Sequence, residues 1–267
     1  MFGKKKKSDV GDFAGFALLS EAKWSKAQFI ADMKSEWNID VADEKPEEND
    51  VVYAPIGSFR LVIGMMPAPI PDGAPEHFAH GNYMWRDAVE TVKSHKAHLL
   101  ICILGDDGDI LEKGRLYVMA SAAVLKQESA TAFYQEGAVY EPEMYLVAAR
   151  MLKSHQIPLL NWVWFGLYND GKMAGCYTYG MRRFGKEEME VYVASEEADL
   201  NSIREFVISI ATYVIDTDAT LRDGETIGFS EEQKLSIKLS KGILLDGKTL
   251  KITYGTDNTK QLHDTDL

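Results

Sequence analysis

Glu188 and Glu190 are the residues best spaced to do chemistry together. They lie in "CYTYGMRRFGKEEMEVYV", residues 176–193, behind adjacent Arg182 and Arg183 and a turn glycine, Gly185. Two carboxylates divide acid and base work only when burial or proximity pushes their pKa values apart. Alternate side chains of a strand point to opposite faces, so Glu188 and Glu190 share one face and Met189 and Val191 the other. With the Met189 face buried, both carboxylates belong on the solvated face. There Arg182 and Arg183 are placed to pair with them across a hairpin. The expectation is a solvated, salt-bridged hairpin, or, as the functional reading, a charged surface that docks a partner or a small ligand, and not an acid–base dyad. Asp223 and Glu225 in "RDGETIG" are the further polar binding candidates.

Other constellations carry less. His77, His80, Asp72 and Glu76 gather in "PDGAPEHFAHGNYMW". Two imidazoles and a carboxylate suit zinc, but the metalloprotease pattern needs His-Glu-x-x-His on a helix. The spacing here is tighter and Pro75 and Gly81 flank it, so the stretch reads as a polar loop leading into a helix, with no metal. His95 and Lys96 suit a helix C-terminus, and His98 opens the strand that follows. "GDDGD" reads as a turn, lacking the remaining ligands of a calcium loop. Trp162 and Trp164 read as core aromatics on one face of a strand. No nucleophile elbow, phosphate-binding loop or dinucleotide fingerprint is read, so no cofactor is expected.

The whole chain constrains the partner. Its 267 residues carry a formal net charge of −12, which argues against nucleic acid, because phosphate backbones select lysine and arginine. It suits a basic protein partner. Cys102 and Cys176, the 2 cysteines, lie far apart in apolar runs. They form neither a disulfide framework nor a metal pattern, and read as buried thiols of a cytoplasmic protein. After "MFGKKKK" come Ser8, Asp9 and Gly11 instead of an apolar run, so no signal peptide is expected. Residues 1–12 read as a basic disordered tail, and no stable membrane association is expected.

The elements that position these residues follow from periodicity and turn chemistry. "GFALLS" is a strand. Ser25 and Gln28 form a capping box with Trp24 and Phe29 as a staple, opening a helix. "VVYAPIGS" and "FRLVIGMM" are strands, the second ended by Pro67, Pro69 and Pro71. A helix over 82–95 leads to the continuous apolar strand "AHLLICILG". The order β-α-β-β-α-β is the split, ferredoxin-like arrangement, over 13–105. A second α+β module on an antiparallel sheet spans 106–255. It has a helix over 110–127, a strand near "TAFY" and a helix after Pro142. "LLNWVWFGLY" and "AGCYTYGMRRFG" flank an Asp-Gly turn as strands. "EEMEVYVA", a helix over 200–216 and the segments "TLRDGETIGFS" and "ILLDGKTLKITYG" complete it. Residues 256–267 read as a disordered tail.

"MMPAPIP", "HKAHLLICILG", "LNWVWFGLY", "YTYGMRRFGKEEMEV" and "DGETIGFSEEQKL" together resemble an uncharacterised family of bacterial proteins known as a domain of unknown function. The resemblance runs from about residue 14 to 254. It implies a bacterial cytosolic protein and brings no catalytic residues. "TYGMRRFGKEEMEV" alone is similar to a Thr-x-Gly…Gly-x-x-Glu-x-Glu stretch of suppressor-of-fused-type domains, some of which act as immunity proteins. Tyr179 stands where that pattern often has histidine. Together these readings favour a protein-binding, immunity-type module over an enzyme. The alternative is a hydrolase or ligand-sensing module with a site between the two modules, using Asp223, Glu225, Arg182 and Glu188.

Overall fold

A computed structural model describes residues 10–105, 108–228, 230 and 233–255. Of the tail expected at 1–12, residues 1–9 lie outside the described residues, as does all of the tail expected at 256–267. The chain is α+β and forms two compact units, divided after Trp164.

The first unit runs β1 (Phe13–Leu19), α1 (Lys26–Trp37), β2 (Val51–Ile56), β3 (Phe59–Met66), α2 (Ala74–Ala79), α3 (Ala88–Lys93) and β4 (Ala97–Leu104). It continues with α4 (Ile110–Leu125), β5 (Ala130–Gln135), β6 (Ala138–Tyr140), α5 (Pro142–Ala149) and α6 (Leu159–Trp162). Its sheet has the order β2-β3-β4-β1-β5-β6, and every pair is antiparallel. The expected order of the first six element types is present, but the ferredoxin-like pairing is not. A split β-α-β unit needs β1 and β2 parallel with one strand between them. Here β3 and β4 both lie between them, and β1 and β2 run in opposite directions. The residues 38–50 after α1 give the chain enough length to reach the far edge. The apolar β4 then takes the place beside β1. Residues 110–162, expected in the second module, complete the first sheet and cover it.

Packing explains the layers. Gly15 of β1 lets α4 approach, since a Cβ there would stand 2.2 Å from the Tyr117 hydroxyl. Leu18 points to the other face, where it joins Ala88 and Val92 of α3 and Ala132, Tyr134 and Val139 in an apolar cluster. Helices therefore lie on both faces of the sheet. The α1 cap is half the expected box. Ser25 Oγ accepts from the Gln28 N–H at 3.1 Å, but the Ser25 N–H goes to Gln127 Oε1 at 2.7 Å. "LLNW" is the helical turn α6 and not the start of a strand. Its Trp162 is fully buried and donates from Nε1 to the Gly114 carbonyl at 3.0 Å. Trp162 and Trp164 thus do not share a strand face.

The second unit contains β7 (Trp164–Asn169), β8 (Met173–Tyr179), β9 (Met189–Ala194), α7 (Leu200–Asp216), β10 (Thr226–Ile227), β11 (Leu235–Lys241) and β12 (Lys248–Ile252). The sheet order is β10-β11-β12-β9-β8-β7. It departs from the expected antiparallel sheet at one joint, because β12 pairs with β9 in parallel. Strand β11 lies between the two Asp-Gly segments, where no strand was expected, and "ILLDG" is a turn. Helix α7 buries Ile203, Val207, Ile210 and Val214, the stripe its spacing predicts. Among the described residues no helix is long and apolar enough to cross a membrane.

Candidate functional site

The β8–β9 connection is a 3-10 turn, Met181–Phe184, between two glycines with positive φ: Gly180 at 125° and Gly185 at 70°. That turn aims its first N–H groups inward, and Glu188 fills the space. Glu188 Oε1 accepts from the Gly180 N–H at 2.8 Å and the Arg182 N–H at 3.3 Å. Oε2 accepts from the Thr178 hydroxyl at 2.7 Å, whose oxygen also accepts from the Met189 N–H at 2.8 Å. Glu188 is 3% exposed. Burial pushes its carboxyl above the usual range, against the pull of these donors.

Glu190 is fully buried. Its carboxylate accepts from the Ile243 N–H at 3.1 Å, the Leu244 N–H at 3.2 Å and the Thr249 hydroxyl at 2.9 Å. Lys251 Nζ stands 2.6 Å away and also donates to the Lys241 carbonyl. Burial works to raise the Glu190 pKa, but the Lys251 ammonium and the Ile243 N–H outweigh it and hold the carboxyl below the usual range. The Tyr192 phenol, two residues on, is held protonated by burial and by the nearby Glu190 charge.

The solvated-face expectation for Glu188 and Glu190 is therefore corrected. Consecutive residues Met189, Glu190, Val191 and Tyr192 of β9 are all buried, so both of its faces are covered. Arg182 reaches Glu188 through its backbone N–H. Its guanidinium donates instead to the carbonyls of Asp246 and Lys248, at 3.1 and 3.3 Å. Arg183 is 8% exposed. Asp223 Oδ1 accepts from the Leu239 N–H at 2.8 Å, and Glu225 Oε2 from the Arg222 N–H at 2.9 Å. Asp223 ties the 222–225 turn to β11, and Glu225 closes that turn on itself. Asp223 also borders a shallow cleft of about 270 Å3 with Lys186, Glu187 and Arg222. The Lys186 ammonium there is engaged by Asp218 at 2.6 Å. So Arg182, Glu188, Glu190, Asp223 and Glu225 each fasten main chain. They do not converge on one open site.

Residues 177–253 match the family model of a domain of unknown function, DUF4261. No curated protein and no solved structure matches the chain. The DUF4261 match contains "YTYGMRRFGKEEMEV" and "DGETIGFSEEQKL", two of the five motifs that carry the resemblance to an uncharacterised family. It also contains every fastening residue named above.

Within the DUF4261 segment the sequence reading missed three partners, Thr178, Thr249 and Lys251. A lysine inside the apolar run "TLKIT" was a signal, since a buried ammonium requires a counter-charge. The reading also passed over Gly242-x-x-x-x-Gly247-Lys248-Thr249, which has the spacing of a phosphate-binding loop. That loop requires a helix after it, and here β12 follows. Its N–H groups at Ile243 and Leu244 do bind an anion, but the anion is the Glu190 carboxylate.

Outside the DUF4261 segment, His77 and His80 lie at and just beyond the end of α2, a helix where a loop was expected. Among the described residues no group of three His, Cys, Asp or Glu is placed to hold a metal ion. His95 Nε2 accepts from the Ile70 N–H at 2.9 Å, while Nδ1 donates to the Val92 carbonyl. His98 Nδ1 donates to the Ala68 carbonyl at 2.8 Å, and burial lowers its pKa. Both imidazoles thus pin the proline-rich segment after β3. Burial pushes the Cys176 thiol up to about 12 and raises Cys102 as well, which keeps both as thiols.

Proposed function

We propose that this chain is a cytoplasmic protein-binding module of the immunity type, which meets a basic protein through an acidic surface segment. The observation that carries this reading is the connection between α1 and β2. Residues 38–50 hold six carboxylates and one lysine. Connections of this length without secondary structure are uncommon in compact domains unless they serve a function. This one has a fixed shape. Asp43 pairs with Lys26 and accepts from the N–H groups of Lys45 and Tyr53, at 3.1 and 3.0 Å. Lys26 Nζ also donates to the carbonyls of Lys45 and Glu48, at 2.6 and 2.8 Å. Asp40, Glu44, Glu47, Glu48 and Asp50 are left exposed on this frame. A preformed acidic surface speeds encounter with a basic partner and selects for it, and its binding weakens with salt. The DUF4261 carboxylates support the same reading, because they are spent on shaping loops.

The test is affinity purification of the tagged full chain from its native host at low and moderate salt, with mass spectrometry. Wild type is expected to retain a stoichiometric basic protein that salt releases. A D40N/E44Q/E47Q/E48Q variant is expected to lose it while keeping the wild-type melting curve. Equal retention by both proteins would overturn the proposal.

A further inference from the structure

The turn between β11 and β12 presents Ile243 at 60% and Leu244 at 37% exposure. Aliphatic side chains placed side by side in solvent are usually the mobile end of a loop, but this turn is held at both ends. Glu190 takes the N–H groups of Ile243 and Leu244, Arg182 takes the carbonyls of Asp246 and Lys248, and the Gly242 N–H donates to the Gly247 carbonyl at 2.8 Å. A tip ordered beforehand loses little conformational entropy on binding. Its flanks are basic. Lys234, Lys238, Lys241 and Lys248 are exposed there beside the single Asp246, while Lys251 is buried against Glu190.

The first unit carries the complement. Ala27, Ile30 and Ala31 of α1, with Val41 and Ala42, line an open groove of about 510 Å3, edged by Lys34 and Asp40, which pair with each other at 2.7 Å. The acidic residues Glu44, Glu47 and Glu48 follow directly in sequence. Small apolar side chains accept an aliphatic tip, and the carboxylates match its lysines. We propose that the acidic segment also recognises this tip on a second copy of the chain. The proposal rests on the reading of residues 38–50 as a docking segment. Tip and groove are different surfaces, so each contact joins the tip of one copy to the groove of another. Its small footprint makes it weak and concentration-dependent.

Sedimentation velocity of the full chain, over a concentration series at low and moderate salt, tests this. The average mass is expected to rise with concentration at low salt and to fall back as salt is added. Two variants, I243D/L244D and E44K/E47K/E48K, are each expected to stay monomeric with unchanged circular dichroism and melting. Mixed in equal amounts, they are expected to give a dimer and nothing larger, since one intact tip and one intact groove remain. A wild type that stays monomeric throughout, or association that both variants preserve, would overturn the inference. If wild type is monomeric while the acidic-segment variant still loses a basic protein in the host capture, this inference fails and the docking role of residues 38–50 stands.

Discussion

Neutralising Glu190 strands a buried ammonium. Lys251 would keep only the Lys241 carbonyl and the Thr249 hydroxyl. Breaking a buried pair in this way costs about 3–5 kcal/mol, so E190Q is expected to lose that much in urea denaturation. The two glutamates also predict opposite pH behaviour. The folded pKa of Glu190 lies below its ordinary value, so its contribution is present above that value and is lost as pH falls through the folded one. The folded pKa of Glu188 is raised, so its contribution is present below the ordinary value and fades as pH rises through the folded one. Stability measured from about pH 3 to pH 7 should fall less at the acid end in E190Q than in wild type. In E188Q it should fall less toward neutral pH. The sequence made Glu188 and Glu190 visible as a pair but concealed their burial. Alternation says which residues share a face; whether that face is wet depends on which turns fold over it, here those at 180–184 and 242–247.

Helix α5 was legible from the proline at its start and α7 from its apolar stripe. Strand order was not. No local residue states that β4, and not β3, lies beside β1, because that choice follows from the reach of residues 38–50 and from packing on α4. Turn α6 was misread for a related reason: a four-residue apolar turn and a short strand look alike in sequence. Its anchor is testable. W162A is expected to cost about 3–5 kcal/mol through the cavity it opens beside Gly114. W162F keeps most of the ring but removes the indole's bond to a helical carbonyl, and should cost about 0.5–1.5 kcal/mol. Equal losses in the two variants, read from denaturant midpoints, would deny the Trp162–Gly114 bond its role.

Each sheet of the whole molecule is built from one continuous stretch of chain: β1 to β6 from residues 13–140 and β7 to β12 from residues 164–252. A fragment ending at Trp164 therefore contains every strand of the first sheet and the helices on both its faces. It is expected to unfold cooperatively in urea, with native-like circular dichroism. A fragment without a cooperative transition would refute that autonomy. Composition described the molecule's charge correctly as a sum. The sum conceals that residues 38–50 are strongly acidic while 234–251 are basic, a division that net charge alone does not report.

A ribosome delivers β9 long before β12. Until Lys251 emerges, Glu190 has no counter-charge and β9 lacks the neighbour that pairs with it in parallel. The first unit meets no such delay, since its last strand is synthesised by Tyr140. The newborn chain thus carries a finished half and an open sheet edge at the same time. Open edges recruit strands from other chains. Translation that stalls between these two strands would leave the half-made sheet as the part of the protein most in need of a chaperone.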